Sequence, residues 1–224
     1  MLSETSIRIC GIIGILASLI MVVADTIFLG RWESFKQFPV ESRTVGFPFW
    51  RLNIGSTLGV CLIPFVAVGF VPVYFALLPS GQTMAAIATG LLVYFIGMAP
   101  GAHVYYANNG IIQGISKQLP AASPEVEALK AVSFDQRKIF LGMGYIILSA
   151  YFSGSVLYSI LVAIGKTGLP VWMAVVNPFF LTAAAYTSSS WAPSIISGYL
   201  SPVSVYVGVT TLQVLTLVLM WQAF

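Results

Sequence analysis

The chain consists of long apolar runs separated by shorter polar connections. An α-helix needs roughly 20 mostly apolar residues to cross a bilayer, and six runs meet that requirement. The apolar residues are continuous within each run, whereas the strands of a membrane β-barrel alternate between apolar and polar positions. The pattern predicts an all-α, polytopic membrane protein that forms a single domain over residues 1–224. We predict a bundle of six transmembrane helices, with spans at about 7–29, 52–78, 83–107, 138–165, 169–191 and 199–223.

Prolines lie inside several of these runs. The second run carries Pro64 and Pro72, which predict a kinked or tilted helix. Pro100, Pro178 and Pro202 lie in the third, fifth and sixth runs. Membrane helices tolerate proline where neighbouring groups satisfy the carbonyl that it frees, so we keep all six runs as spans.

The third polar connection contains the stretch ASPEVEALKAVSF. Ser123 is a favourable N-cap, and Pro124 suits the first position of a helix. Glu125 and Glu127 complement the positive end of the helix dipole. Apolar residues then recur about one turn apart, which predicts a short amphipathic helix lying at the membrane interface.

Composition supports the membrane class. Of the 224 residues, 58% are hydrophobic and 8% are charged, whereas soluble domains carry about a quarter charged residues. The net charge of +3 is small and its basic residues are not massed on one stretch, so we expect no nucleic-acid partner. Cys10 and Cys61 lie inside apolar runs, and we interpret them as buried apolar side chains that form no disulfide.

Basic residues are concentrated in the first and third loops. The opposite face receives only Arg8 and Lys166. Because cytoplasmic loops carry an excess of lysine and arginine, we predict that the first and third loops are cytoplasmic and that both termini lie on the other side. The basic residues behind this prediction are Arg31, Lys36, Arg43, Arg51, Lys117, Lys130, Arg137 and Lys138.

When the six spans cross the membrane in alternating directions, most of the polar and charged residues near the span ends fall at the same membrane face. Asp25, one turn inside the end of the first span, is the only acid in any span. His103, near the end of the third, is the only histidine, and it is the residue type that titrates near neutrality. Such groups are expensive in hydrocarbon unless they are paired or face the bundle interior. We therefore predict a polar pocket at this face, with candidate ligand-binding residues Asp25, Arg51, Asn53, His103, Tyr106 and Asn177.

Each candidate also has a purely structural interpretation. An acid close to the interface, such as Asp25, can reach water or cap a helix end. His103 can donate a hydrogen bond to a carbonyl freed by Pro100. Arg51 is typical of a basic anchor at the interface. Asn177, and Gln213 in the sixth span, are typical of hydrogen bonds between helices.

Two GxxxG steps predict close helix packing. Gly55 and Gly59 lie in the second span, and Gly97 and Gly101 lie in the third. Small residues at this spacing let two backbones approach each other. We predict that these two glycine faces pack together, which would turn His103 toward a cavity.

The inventory of metal-binding residues is small. A zinc site needs three or four histidine, cysteine or acidic ligands, whereas this chain has one histidine and two distant cysteines. The sequence also contains no phosphate-binding P-loop and no G-x-S-x-G nucleophile motif. We therefore predict no metal site and no cofactor.

Two motifs resemble a known family. The first span, GIIGILASLIMVVADTIFLG, ends in an Ala-Asp-x-x-x-Leu pattern, and PGAHVYY places a histidine near the end of the third span. Together they resemble a family of uncharacterised six-span integral membrane proteins, catalogued as a domain of unknown function. The resemblance implies a fold and directs attention to Asp25 and His103. It implies no activity.

Three functions of different class are compatible with these features. The first is the binding or transport of a small molecule or lipid at the Asp25–His103 pocket, and we favour it because one histidine and one acid are few groups for catalysis. The second is a membrane-embedded enzyme that acts on a lipid-like substrate, with His103 as general acid/base and Asp25 orienting it. The third is a structural subunit of a membrane complex. Expected partners are the lipid bilayer, a small-molecule or lipid ligand and, in a homo-oligomer, a second copy of the chain.

Overall fold

The computed structural model describes residues 2–33, 43–121 and 123–223, and this part of the chain is built from helices. The predicted all-α class is therefore confirmed. In chain order the helices are α1 (Glu4–Leu29), α2 (Phe49–Val68), α3 (Val71–Leu77), α4 (Gln82–Gly97), α5 (Ala99–Ser116), α6 (Pro124–Ala163), α7 (Pro178–Trp191) and α8 (Ser194–Ala223).

Five helical units within the described residues are long and apolar enough to cross a membrane. Two of these units each consist of two consecutive helices separated by one short break. One unit combines α2 and α3, and the other combines α4 and α5. The breaks lie at Gly69–Phe70, just before Pro72, and at Met98, two residues before Pro100. The five units match five of the predicted spans and are Glu4–Leu29, Phe49–Ser80, Gln82–Ser116, Pro124–Ala163 and Ser194–Gln222.

The remaining predicted span, 169–191, is not one long helix. It consists of a 3-10 turn at Val171–Val175 followed by the 14-residue helix α7. At 1.5 Å per residue α7 is about 21 Å long, which is shorter than the roughly 30 Å hydrocarbon core. Asn177 begins α7, since its side chain accepts a hydrogen bond from the Phe180 amide at 2.8 Å. This cap, with Pro178 next to it, separates the apolar run into two pieces, so six full spans are not observed.

The predicted helix in the third loop exists but is not separate. Ser123 Oγ accepts a hydrogen bond from the Val126 amide at 3.3 Å, as expected of an N-cap. The helix that begins there continues without a break to Ala163, a total of 40 residues. Such a helix is about 60 Å long, about twice the thickness of the hydrocarbon core of a bilayer. The third-span helix is likewise longer than predicted, because α5 ends at Ser116 and not near 107.

The bundle is tightest where α1 crosses the break between α2 and α3. A Cβ atom added to Gly14 would lie 2.0 Å from the Gly69 Cα atom, so the two backbones are in direct contact. Gln213 of α8 joins them, because its side-chain amide donates to the Val66 carbonyl and accepts from Ser18 Oγ, each at 2.9 Å. The interpretation that Gln213 forms hydrogen bonds between helices is therefore confirmed.

The cysteines are free thiols, as predicted for residues without a disulfide. Cys10 is half-buried and Cys61 is exposed. The prediction that both are buried is therefore wrong, because neither side chain is fully enclosed by neighbouring helices.

We expect Gly14→Ala to destabilise the bundle by about 1–3 kcal/mol, the usual cost of inserting a methyl group into a well-packed core. The added Cβ would meet backbone, which cannot move aside as a flexible side chain does. Gly90→Ala on α4 is the matched control, since a Cβ there meets nothing within 4 Å. Thermal unfolding in detergent measures both variants, and equal melting temperatures would contradict the prediction.

Candidate functional site

A cavity of about 450 Å³ lies between α1, α4, α5, α6 and α8. This volume is within the range of about 300–1,000 Å³ that is typical of small-molecule sites. Its wall on α6 is open to the surroundings, since Tyr145 is 73% and Leu148 is 55% exposed. Most of the lining is apolar, and the residues are Phe28, Leu29, Phe95, Ile96, Met98, Ala99, Ala102, Phe140, Leu141, Gly144, Ile147, Leu148, Pro202 and Val205, together with the polar Asp25, His103, Tyr106, Tyr145 and Tyr206.

Asp25 and His103 face each other in this cavity. The distance from His103 Nε2 to Asp25 Oδ1 is 3.5 Å, and only 4% and 5% of the two residues, respectively, is exposed. Within the described part of the chain, Asp25 Oδ1 has no hydrogen-bond partner. The structure thus brings together the two residues that the sequence singles out, and the Asp25 oxygen nearest His103 is buried beside the imidazole without forming a hydrogen bond to the described residues.

The imidazole is held flat against α1 and α2. Phe28, one turn after Asp25, stacks on His103 with ring centroids 5.3 Å apart and an interplanar angle of 13°. On the other side, a Cβ added to Gly59 would lie 2.2 Å from His103 Nδ1, and one added to Gly55 would lie 2.3 Å from Phe28 Cβ. The GxxxG step of α2 therefore makes room for these two rings.

The predicted contact between the two GxxxG steps is wrong. A Cβ added to Gly97 meets nothing within 4 Å, and one added to Gly101 meets only Met143 Cε, at 3.8 Å. The spacing of small residues shows that close approach is possible on a helix face, but it does not identify the partner. Here the partners of the α2 glycines are side chains of α1 and α5.

Arg51 contacts the end of α1 and not Asp25. Its guanidinium donates to the carbonyls of Ile27 and Gly30 and lies 3.8 Å from the centroid of the Phe47 ring. The last carbonyls of a helix have no partner within the helix, so Arg51 stabilises the end of α1 from outside the cavity. Arg51 is a predicted ligand-binding residue, and the structure places it outside the cavity that Asp25 and His103 line.

The other candidates divide between the cavity and the rest of the bundle. Tyr106 lines the cavity and makes an edge contact with Phe140. Asn53 lies outside it on the exposed side of α2, where it accepts a weak hydrogen bond from Thr57 Oγ1 at 3.5 Å. Asn177 also lies outside it, and its amide donates to Ser159 Oγ at 2.9 Å. Asn177 thus has the structural role that its alternative interpretation describes.

Two arginines of the first loop form a buried cluster that sequence reasoning treated only as orientation signals. Arg31 Nε donates to the Arg43 carbonyl at 2.7 Å, and Arg43 donates to the Gly198 carbonyl at 3.0 Å. Arg43 is only 1% exposed. Burial lowers the pKa of Arg43 to about 10, so the guanidinium stays charged at neutral pH. The cluster connects the first loop to the start of α8.

Tyr206 and Phe140 are lining residues that sequence reasoning missed. Tyr206, one turn after Pro202 on α8, is 3% exposed and lies on the same wall as that proline. Phe140 stacks on Tyr105 with ring centroids 4.1 Å apart. The only signal in the sequence is their position in the same depth range as Asp25 and His103, which many other aromatic residues share.

Comparison with known proteins identifies a family but no activity. A model described as "Family of unknown function (DUF6796)" matches residues 1–222, which confirms the resemblance to an uncharacterised family. No curated protein matches the chain, and no solved structure matches it. Within the described residues, no three histidine, cysteine or acidic side chains are grouped so that they could hold a metal ion.

We expect the Asp25–His103 pair to cost stability. Replacing a buried ionisable pair by apolar groups of similar volume is often neutral or stabilising, whereas removing one partner costs about 3–5 kcal/mol. The double variant Asp25→Leu with His103→Phe is therefore expected to have a free energy of unfolding at least as large as that of the wild type. His103→Phe alone is expected to have a smaller one. Chemical unfolding in mixed detergent measures this, and a double variant less stable than the single one would contradict the expectation.

Proposed function

This chain belongs to the family of unknown function DUF6796, and we propose that it is a membrane protein that binds a lipid-like small molecule at the Asp25–His103 pair. The observation that carries the proposal is a buried carboxyl–imidazole pair at the side of an otherwise apolar cavity. Ligand sites usually combine apolar walls with a few convergent polar groups that fix orientation, and this cavity has that composition.

The open wall of the cavity supports entry from the bilayer. Leu141, Tyr145 and Leu148 line the cavity and are also largely exposed. Because α6 is long and apolar enough to cross a membrane, these residues face lipid and the cavity opens sideways. A molecule dissolved in the leaflet can then enter without crossing water, which favours an amphiphile over a water-soluble metabolite.

The free-energy cost of placing the Asp25–His103 pair in a membrane span also supports a functional role for it. Ionisable residues inside membrane spans are expensive and usually mark a ligand or ion pathway. The pair joins α1 to α5, but α2 already packs against both of these helices, so the pair is not the sole link between them. Binding of a polar head group accounts for both the pair and the cavity beside it.

The cavity itself can be filled to test this function. Gly144 lines the cavity and a Cβ there meets nothing within 4 Å, so Gly144→Leu places a side chain into the open space. Gly142→Leu is the matched control, because Gly142 lies on the same helix with equally open surroundings and does not line the cavity. Gly144→Leu is expected to lose a co-purifying lipid-like molecule that wild type and Gly142→Leu both keep.

Native mass spectrometry of protein purified in mild detergent and re-exposed to lipid extract of the host membrane measures the retained molecule. Equal retention by the two leucine variants, or no retained molecule on wild type, would overturn the proposed function. Asp25→Asn is expected to weaken retention, with Asp135→Asn as its control, since the Asp135 side chain is 72% exposed on the first part of α6.

A second candidate function rests on the same geometry. With Nε2 and Oδ1 3.5 Å apart, Asp25 can orient His103 as a general acid/base for a lipid-like substrate. The molecule recovered from the preceding experiment separates the two functions. An unchanged molecule supports binding, whereas a product that accumulates on wild type but not on His103→Ala supports catalysis.

We also propose that the first and third loops face the cytoplasm, as the positive-inside rule predicts. Gln118→Cys, exposed between α5 and α6, is expected to react with a membrane-impermeant maleimide only after cells are permeabilised. Lys166→Cys, exposed between α6 and α7, is expected to react in intact cells. The reverse pattern would invert the orientation.

A further inference from the structure

A second cavity of about 280 Å³ adjoins the first between α4, α6, α7 and α8. The two cavities share four lining residues, which are Phe95, Leu148, Pro202 and Val205. The two cavities are therefore neighbours, and we refer to them together as the slot. The Asp25–His103 pair lies only in the first part, and residues of α7 lie only in the second.

The second cavity offers apolar surface although several of its residues carry hydroxyl groups. Tyr151 and Thr182 hydrogen-bond to each other at 2.8 Å, and Ser204 Oγ donates to the Ser201 carbonyl at 2.9 Å. The hydroxyls of Tyr151, Thr182 and Ser204 are thus engaged within the protein, whereas Ser201 Oγ has no hydrogen-bond partner among the described residues. Most of the remaining lining is apolar, with Phe95, Leu148 and Phe179 among it, so the second part of the slot suits a hydrocarbon chain.

The groups that line the first cavity favour a lipid-like ligand whose polar head group is uncharged. A lone charge is costly at this depth, so Asp25 and His103 exist either as an ion pair or as two neutral groups, with a net charge of zero in both cases. No lysine or arginine lines the described cavity. A charged ligand would require the pair to gain or lose a proton, whereas an uncharged hydroxyl can hydrogen-bond at the pair with no change in its net charge. Asp25 Oδ1, which lies 3.5 Å from His103 Nε2, accepts no hydrogen bond from the described residues.

We propose that the slot binds one uncharged, single-chain amphiphile, with a hydroxyl-bearing head at Asp25 and His103 and its alkyl chain extending past Phe95 and Leu148 into the second cavity. This inference rests on the proposed function, since it names the ligand class of the same site. It adds the position of the chain and the charge of the head.

Photoreactive derivatives of hexadecanol test the position of the chain. One derivative carries a diazirine beside the hydroxyl, and the other carries it in the distal half of the chain. In nanodiscs of neutral phospholipid, the first is expected to label α1 and α5 near Asp25 and His103. The second is expected to label α7, and peptide mass spectrometry locates the labelled residues. Distal-probe labelling confined to the outer face of α6 would overturn the proposed path.

Two neighbouring alanines of α7 provide matched variants. Ala183 lines the second cavity and Ala184 does not, although both are exposed. Ala183→Phe is expected to reduce α7 labelling by the distal probe about tenfold, equivalent to about 1.4 kcal/mol, and to leave labelling by the head-group probe in place. Ala184→Phe is expected to leave both unchanged. Equal effects of the two variants would contradict the proposal.

Competition tests the charge of the head. Excess hexadecanol is expected to displace both probes, whereas hexadecyl sulfate and hexadecyltrimethylammonium, at equal mole fraction in the bilayer, are expected to displace about tenfold less. Equal displacement by either charged compound would overturn the uncharged head while leaving the binding function intact. If Gly144→Leu labels as wild type does, the proposed function itself is wrong.

Discussion

The contact between the backbones of Gly14 and Gly69 sets the arrangement of the other helices. Apolar side chains gain little by leaving lipid for protein, so helices in a bilayer associate through close packing and hydrogen bonds. Here α1 meets the break between α2 and α3, and Gln213 of α8 bonds to both sides of the crossing. These four helices form a tight unit. The helix α6 is attached mainly through α4 and the 3-10 turn at Val171–Val175, and the space left between α6 and α8 is the slot.

In the slot, the buried Asp25–His103 pair lies beside a lining of mostly apolar side chains. Asp25 and His103 lie on α1 and α5, and the small residues of α2 admit the ring of His103 and that of Phe28, one turn after Asp25. A pair held in this way does not need a ligand to keep its geometry. Preorganised polar groups lose little conformational entropy on binding, which agrees with our proposal that this pair orients the head of an amphiphile.

The helix ends follow a different rule. At the face where α1 ends, guanidinium groups of Arg31, Arg43 and Arg51 donate to backbone carbonyls, including those of Ile27 and Gly198. Carbonyls at helix ends need partners from outside the helix, and arginine offers several donors in a fixed plane. These arginines thus connect the first loop to α1 and α8, and they remain outside the cavity.

The sequence by itself determined the helical membrane-type architecture, the positions of five spans, the caps at Ser123, and the common depth of Asp25 and His103. Hydropathy and capping are local properties, so a single segment carries them. Only the tertiary structure decided that the α2 glycines pack against Phe28 and His103, that Arg51 bonds to α1 carbonyls, that Asn177 caps α7, and that the fifth run is broken. These outcomes depend on which helices become neighbours, and the spacing of residues along one helix does not specify the helix that lies opposite.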